Sequence, residues 1–377
     1  MVKKPFGKTG LELSALGFGA MRFPMLLKDD KNIVDDDLSV PLLHKAFELG
    51  VNYVDTALYY CESLSEVTVG KALKSWKGEK IYVSTKNPIE TDSGADFMKR
   101  LETSLKKLDT DCIDLYFMWG ISLDSFKNKI LSKDVMEAAL KAKEQGLFKH
   151  LCFSYHDKPE NMKEIIDSGY FEGVMVQYNL LDRSNEENLI YAKEKGLGVV
   201  IMGPVGGGKL GAPSELIRGL LKEKPTSTAE MAMRFVLANP NVDIALSGMS
   251  TMTQVEENAQ IAARLSHLTD AEITQIKKIL EENKKLAELY CTSCDYCKPC
   301  PQEINIPHLF GIMNTHRVYE LTEHAISLYN ETMRGTAWTK SESPLKCTQC
   351  GVCEKKCPQK LPIIKQLKET HETLYRA

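Results

Sequence analysis

Eight of the chain's eleven cysteines lie in its last quarter, in two blocks that each end in Cys-Pro. The first block sets Cys291, Cys294, Cys297 and Cys300 at x2 spacing ahead of Pro301. The second sets Cys347, Cys350 and Cys353 at x2 spacing, then Cys357 after x3, ahead of Pro358. Thiolates are soft ligands, and the second spacing matches the bacterial run that holds cubane iron–sulfur clusters. In such runs three cysteines grip one cluster and the fourth, before proline, ligates the other. Cys291, Cys294, Cys297 and Cys357 are therefore expected on one [4Fe-4S] cluster, and Cys347, Cys350, Cys353 and Cys300 on a second. The first block departs from the run by one residue, with x2 before Cys300. Zinc ribbons use paired C-x2-C knuckles and do not need four cysteines in series before proline. A disulfide framework belongs to oxidising compartments, and no apolar run follows Met1-Val2-Lys3-Lys4-Pro5 to make a secretion signal. Electron transfer is the chemistry these residues imply.

The rest of the composition is consistent with that setting. A chain of 377 residues suits about two domains. Its net charge of −3 marks no nucleic-acid or anionic-membrane partner. No apolar stretch approaches the ~18–20 residues that span a bilayer. A soluble, reducing, cytoplasmic location is expected, with Cys61, Cys112 and Cys152 read mainly as buried thiols.

Short apolar or β-branched runs at 13–19, 51–57, 81–86, 112–119, 148–155, 174–179, 198–204 and 242–249 read as strands. Amphipathic stretches such as 38–49, 65–76, 96–108 and 134–145 separate them as helices. Eight such units over about 250 residues give the size and rhythm of an α/β fold of the (β/α)8 TIM-barrel type. No G-x-G-x-x-G follows the first strand, which argues against an open dinucleotide-binding sheet. The expected division is a barrel over 1–265 and a small all-α, ferredoxin-like iron–sulfur domain over 266–377. The charged stretch 28–37 reads as a solvated loop, or part of a lid.

Barrel chemistry gathers at the C-terminal strand ends, where the chain offers Asp55, Tyr60, Lys86, Trp119, Ser154, Gln177 and Gly206-Gly207-Gly208. Gly10-Leu11, Leu16-Gly17-Phe18-Gly19 and Asn52-Tyr53-Val54-Asp55-Thr56-Ala57-Leu58-Tyr59-Tyr60 resemble the aldo/keto reductase family. Ser65-Glu66-x3-Gly70, Ser84-Thr85-Lys86, Gln177-Tyr178-Asn179 and Glu257-Asn258 extend the resemblance along the barrel. With the cysteine tail, the chain resembles the bacterial branch that carries a ferredoxin-like appendage. The resemblance implies carbonyl reduction by a nicotinamide through an Asp, Tyr, Lys, His tetrad. Asp55, Tyr60 and Lys86 match the first three members. A tyrosine of ordinary pKa ~10 is a weak donor at neutral pH, and a neighbouring ammonium is expected to lower that value. Trp119 stands where relatives usually carry histidine. Its indole N–H donates one hydrogen bond and cannot shuttle a proton, so an unsaturated or aromatic substrate is expected ahead of a plain aldehyde. Trp119 would then shape the pocket.

The same resemblance assigns Ser154 and Gln177 to the nicotinamide carboxamide, and Glu257 and Asn258 to the adenine side. Gly19 lies at the first strand end. Gly206, Gly207 and Gly208, with Ser247 and Gly248, would bring backbone amides to a phosphate. Met202 replaces a ring that stacks on the nicotinamide. Gly248 and Gln254 replace cations that read a 2′-phosphate. NADH or NADPH is the expected cofactor, and the glycine loop would also suit flavin mononucleotide. A small-molecule substrate and a redox partner, a ferredoxin or flavoprotein, are the expected partners. The alternative is an electron-transfer or docking subunit whose barrel is a non-catalytic platform. In the tail, Thr269 and Glu272 form a capping box for a helix, and the 46 residues between the cysteine blocks read as helical.

Overall fold

The structure, a computed structural model, describes residues 1–89, 93–221, 225–264, 268–288, 291 and 295–376. The chain forms two compact units, Met1–Gly206 with Ala232–His267 and Gly207–Met231 with Leu268–Ala377. The expected boundary at 265–266 lies outside the described residues. The second unit also takes in 207–231, a stretch that a single cut after residue 265 leaves with the barrel.

The first unit opens with an antiparallel pair, β1 (Lys3–Pro5) and β2 (Glu12–Ser14). Barrel strand β3 (Leu16–Gly19) follows at once, so the single run expected at 13–19 is two strands. β4 (Met25–Lys28) and β5 (Lys31–Val34) form a second hairpin. The loop expected at 28–37 is thus mostly a hairpin arm and the start of the helix Asp36–Glu48. Asp29 and Asp30 both take positive φ, the requirement of a two-residue turn that matches strand twist. The remaining strands are β6 (Tyr53–Asp55), β7 (Tyr82–Pro88), β8 (Ile113–Ile121), β9 (Phe148–Tyr155), β10 (Gly173–Gln177), β11 (Gly198–Met202) and β12 (Ile244–Gly248). With β3 they close an eight-stranded parallel barrel in chain order, β12 pairing back onto β3. This is the (β/α)8 architecture read from the strand rhythm.

A buried core takes side chains from several barrel strands, including Tyr53, Leu115, Phe117, Met175, Val200 and Leu246. Phe6, carried by the β1–β2 hairpin and fully buried, joins this core. It lies against the first residues of β10 and β11, both glycine. A Cβ built on Gly198 would sit 2.4 Å from the Phe6 ring, and one on Gly173 2.7 Å from it. Gly198→Ala is expected to lower stability by roughly 1–3 kcal/mol, the usual cost of overpacking a closed core. Urea unfolding measures this, and an unchanged midpoint would show that Phe6 can yield.

In the second unit Thr269 and Glu272 form the expected capping box: the Thr269 N–H donates to Glu272 and the Glu272 N–H to Thr269 Oγ1. The helix Asp270–Glu288 follows, with Ile276 and Leu280 buried. Helices Ile306–Tyr319, Thr322–Met333 and Ile363–Leu374 enclose a core that includes Leu309, Phe310, Ile312, Tyr329 and Leu367, with Cys297 and Cys353 inside it. Ile326 and Leu328 pack against it, as their apolar character predicts. Among the described residues no helix is long and apolar enough to cross a membrane.

Candidate active site and cysteine-lined cavities

Strand alternation aims Tyr53 and Asp55 to one side of β6, and Ser84 and Lys86 to one side of β7. Asp55 is register-paired with Ser84, so these residues meet. Lys86 Nζ donates to Asp55 Oδ2 at 2.5 Å and to the Thr56 carbonyl at 2.7 Å. Ser84 Oγ donates to Asp55 Oδ1 at 2.7 Å, and the Tyr53 hydroxyl donates to Ser84 Oγ at 2.7 Å. Lys86 is 1% exposed and Asp55 3%. An isolated buried charge of either kind would cost several kcal/mol; this pair is closed on both sides by donors and acceptors. Tyr53 and Ser84, absent from the expected site, are its second layer, and their period-two spacing from Asp55 and Lys86 is the signal that places them.

Lys86 also reaches Tyr60. Its ammonium stands 4.7 Å from the Tyr60 ring centroid, and each group shifts the acidity of the other. Cys61, Glu62 and Ser63 turn through left-handed backbone directly after it. That turn is anchored by Ser65, whose hydroxyl donates to the Ala20 carbonyl at 2.7 Å. Trp119 meets Tyr60 edge-to-face, ring centroids 5.5 Å apart, and Tyr59 leans on the same indole at 6.1 Å. Tyr59 is a further member of this aromatic wall that the motif did not single out. A β-bulge between Met118 and Ile121 re-aims the chain there, with Gly120 at positive φ.

The acid strengths correct one expectation. Burial raises the Tyr60 hydroxyl above its ordinary value, and the opposing pull of Lys86 does not cancel it. The expected lowering by lysine is present as a contribution but loses to desolvation. Burial also pulls the Lys86 ammonium down, but Asp55 and Tyr60 more than restore it, leaving it above its ordinary value. The Asp55 carboxyl is lifted by burial against Lys86 and Ser84. These two directions compete for one proton. Both Asp55 oxygens accept hydrogen bonds, which supports the ion pair. The site therefore holds a neutral phenol beside a fixed cation, the state of a proton donor. His156 stands at the rim near Gly120; surrounding protein and then the Lys86 charge lower its pKa, so it is a neutral imidazole.

Of the expected cofactor residues, Gly19, Ser154, Gln177, Met202, Ser247 and Gly248 sit at barrel strand ends, and Gln254, Glu257 and Asn258 on the helix Met252–Arg264. Gly19 is paired with both Asp55 and Gly248, and Gln177 with Met202. Ser154 is buried, and its Oγ accepts the Gly120 N–H at 2.8 Å, which leaves its own proton to donate. The Gln177 carboxamide lies against Gly203, where a Cβ would come within 2.6 Å of it. Asn258 donates to Ser247 Oγ at 3.0 Å. Gln254 accepts the Ser250 N–H at 2.8 Å, so its carbonyl caps a turn; Glu257 is exposed. Gly206 closes the barrel unit, whereas Gly207 and Gly208 belong to the second, and all three take positive φ.

The cysteines of the second unit line two cavities. Cys300, Cys347, Cys350 and Cys353 lie in the walls of one, joined there by Cys297. Cys291, Cys297 and Cys357 lie in the walls of the other, with Phe310 and Pro358. The last cysteine of each block has crossed to the other block's cavity. Cys294 lies outside the described residues. Among the described residues no three cysteine, histidine or carboxylate side chains converge on a single ion; the thiols are spread around cavity walls instead. Thiol-lined apolar cavities of this kind fit a soft, multi-metal guest.

Comparison with known proteins agrees with this geometry. Residues 15–281 match the aldo/keto reductase family model, and residues 290–362 match a 4Fe-4S dicluster domain. The uncharacterized oxidoreductase YqkF of Bacillus subtilis is 27% identical over 74% of this chain and 96% of its own. The L-galactose dehydrogenase of Arabidopsis thaliana is 28% identical over 75% of this chain and 95% of its own. Among solved structures, the holo form of aldo-keto reductase AKR11C1 from Bacillus halodurans has a TM-score of 0.63. It is 30% identical, covering 74% of this chain and 96% of that one. The chain thus belongs to the aldo/keto reductase family, as an oxidoreductase of that type with a C-terminal 4Fe-4S domain.

Proposed function

We propose that the barrel reduces a small unsaturated or carbonyl compound, with Tyr60 as the proton donor. The observation that carries this is the buried Asp55–Lys86 pair held against Tyr60 at the C-terminal strand ends. Asp55 keeps Lys86 charged and placed. Lys86 supports the charge that the Tyr60 oxygen acquires as its proton leaves. Trp119 and Tyr59 form the aromatic wall against which a flat substrate would lie. The hydrogen-bonded Asp55–Lys86 pair beside Tyr60 supports a catalytic barrel over a bare platform.

The strand-end residues fit a nicotinamide: Ser154 and Gln177 offer polar groups for its carboxamide, while Asn258 and Ser247 line the opposite edge. Bound there, the nicotinamide would supply a hydride to the substrate; passing its electrons to the clusters instead would take two single-electron steps and release a proton. The thiol-lined cavities support two [4Fe-4S] clusters, one on Cys291, Cys294, Cys297 and Cys357, the other on Cys300, Cys347, Cys350 and Cys353. Such clusters carry one electron each, so the pair together matches the two electrons of a hydride. Anaerobic titration of the purified protein with NADH and NADPH, followed in the visible spectrum, tests the reading. Bleaching of the broad cluster absorption is the expected result. No change with either nucleotide would sink the nicotinamide assignment and direct attention to a protein electron donor.

A further inference from the structure

Large apolar side chains are exposed within and before the cysteine blocks. Trp338 is 100% exposed, Leu345 72% and Tyr296 66%. Cys350, alone among the described cysteines of the tail, is exposed, and Val352 beside it is partly so. The second block and the segment before it are linked to the residues that follow the first block. Cys350 and Val352 lie in the wall of one cavity with Pro301 and Gln302. The segment after Trp338 is tied to that wall, since the Asn305 N–H donates to Ser341 Oγ at 2.9 Å and the Glu342 N–H to the Glu303 carbonyl at 3.2 Å. Leu345 stands two residues before Cys347. A wholly exposed tryptophan contributes nothing to folding, whereas tryptophan is the commonest anchor of protein interfaces.

The chain segment that carries Cys350 is mostly basic. Between 340 and 365 the chain carries six lysines and two carboxylates, Glu342 and Glu354. Glu342 pairs with Lys346 at 2.8 Å, and Glu354 accepts the Ile364 N–H at 2.9 Å. Lys355, Lys356, Lys360 and Lys365 are all exposed, and among the described residues none has a carboxylate at ion-pair distance. A basic segment that carries the exposed Cys350, with exposed aromatic and apolar side chains before it in the chain, fits an acidic protein that delivers electrons there.

We propose that this face docks a small acidic one-electron carrier protein, which charges the clusters through the Cys350 edge. Each carrier loses one electron and one cluster gains it. Two deliveries supply the electron pair that reduction of the substrate consumes, with protons drawn from Tyr60 and solvent. Placing an exposed thiolate ligand inside the contact shortens the transfer path, and opposite charge steers and orients the encounter. The proposal rests on the clusters assigned above.

Binding to a reduced flavodoxin, as the acidic probe, tests it by dissociation constant rather than turnover. Wild-type protein is compared with Trp338→Ala and with Lys360→Glu/Lys365→Glu, all loaded and checked for iron and sulfide. Each variant is expected to weaken binding at least tenfold, and raising salt to weaken wild-type binding toward the variants. Basic cytochrome c is expected not to bind. Unchanged affinity in both variants would overturn the proposal, as would equal affinity for cytochrome c. So would an RNA oligonucleotide that binds the patch where flavodoxin does not. If iron and sulfide are missing, the cluster assignment fails, while the binding comparison still decides the docking face.

Discussion

Tyr60→Phe should reduce turnover by about 10^3-fold, the middle of the range that a positioned proton donor supplies. The ring remains, so its edge contact with Trp119 persists and substrate binding should change little. KM is expected to stay within a few-fold and the cluster absorption to be unaltered. Retained turnover would end the assignment of Tyr60. The pH profile provides a second readout. Burial raises the Tyr60 pKa above its ordinary value, so the phenol keeps its proton throughout the neutral range. Reduction by the wild type should therefore hold steady through neutrality and fall only above about pH 10, where a tyrosine begins to ionise. A fall near pH 7 would implicate another donor.

Cys357→Ser should cost the protein the cluster of the first block, not that of its own. Iron content is expected to drop from about eight to about four atoms per chain, as one of two four-iron clusters is lost. Pairing substitutions separates the alternatives. Cys357→Ser with Cys297→Ser strikes one cluster twice and should lose no more iron than either change alone. Cys357→Ser with Cys353→Ser strikes both and should lose nearly all of it. The opposite pattern would mean that each block holds its own cluster, and that the crossing of Cys300 and Cys357 between cavities does not reflect ligation. Interpreting the pairs relies on non-additivity within one site and additivity between sites.

Local chemistry made much of this protein legible before any fold was known. The x2 and x3 cysteine spacings are short-range properties, as is the regular return of apolar runs that marks a parallel barrel. Asp55 and Lys86 could be named because strand ends of such a barrel are where chemistry collects. The capping box at Thr269 and Glu272 was equally local, and the helix begins there. The hairpin at 25–34 was hidden by its charge, although Asp29-Asp30 between two short runs is a legible turn once its positive φ values are known.

Three features depended on the tertiary structure, each because it balances groups distant in sequence. The direction of the Tyr60 pKa is a contest between burial and the Lys86 charge, and no motif states how much water the fold removes. The exchange of Cys300 and Cys357 between cavities depends on how two blocks 46 residues apart are folded together around Ile306. The segment 207–231 carries two of the three glycines of the expected phosphate loop, yet Ser214 donates to the Tyr319 carbonyl at 2.8 Å, within the unit of the cysteines. Spacing along a chain can specify which groups are able to react. Desolvation and long-range packing then set their protonation and their neighbours, because both depend on atoms that the chain brings together only when it folds.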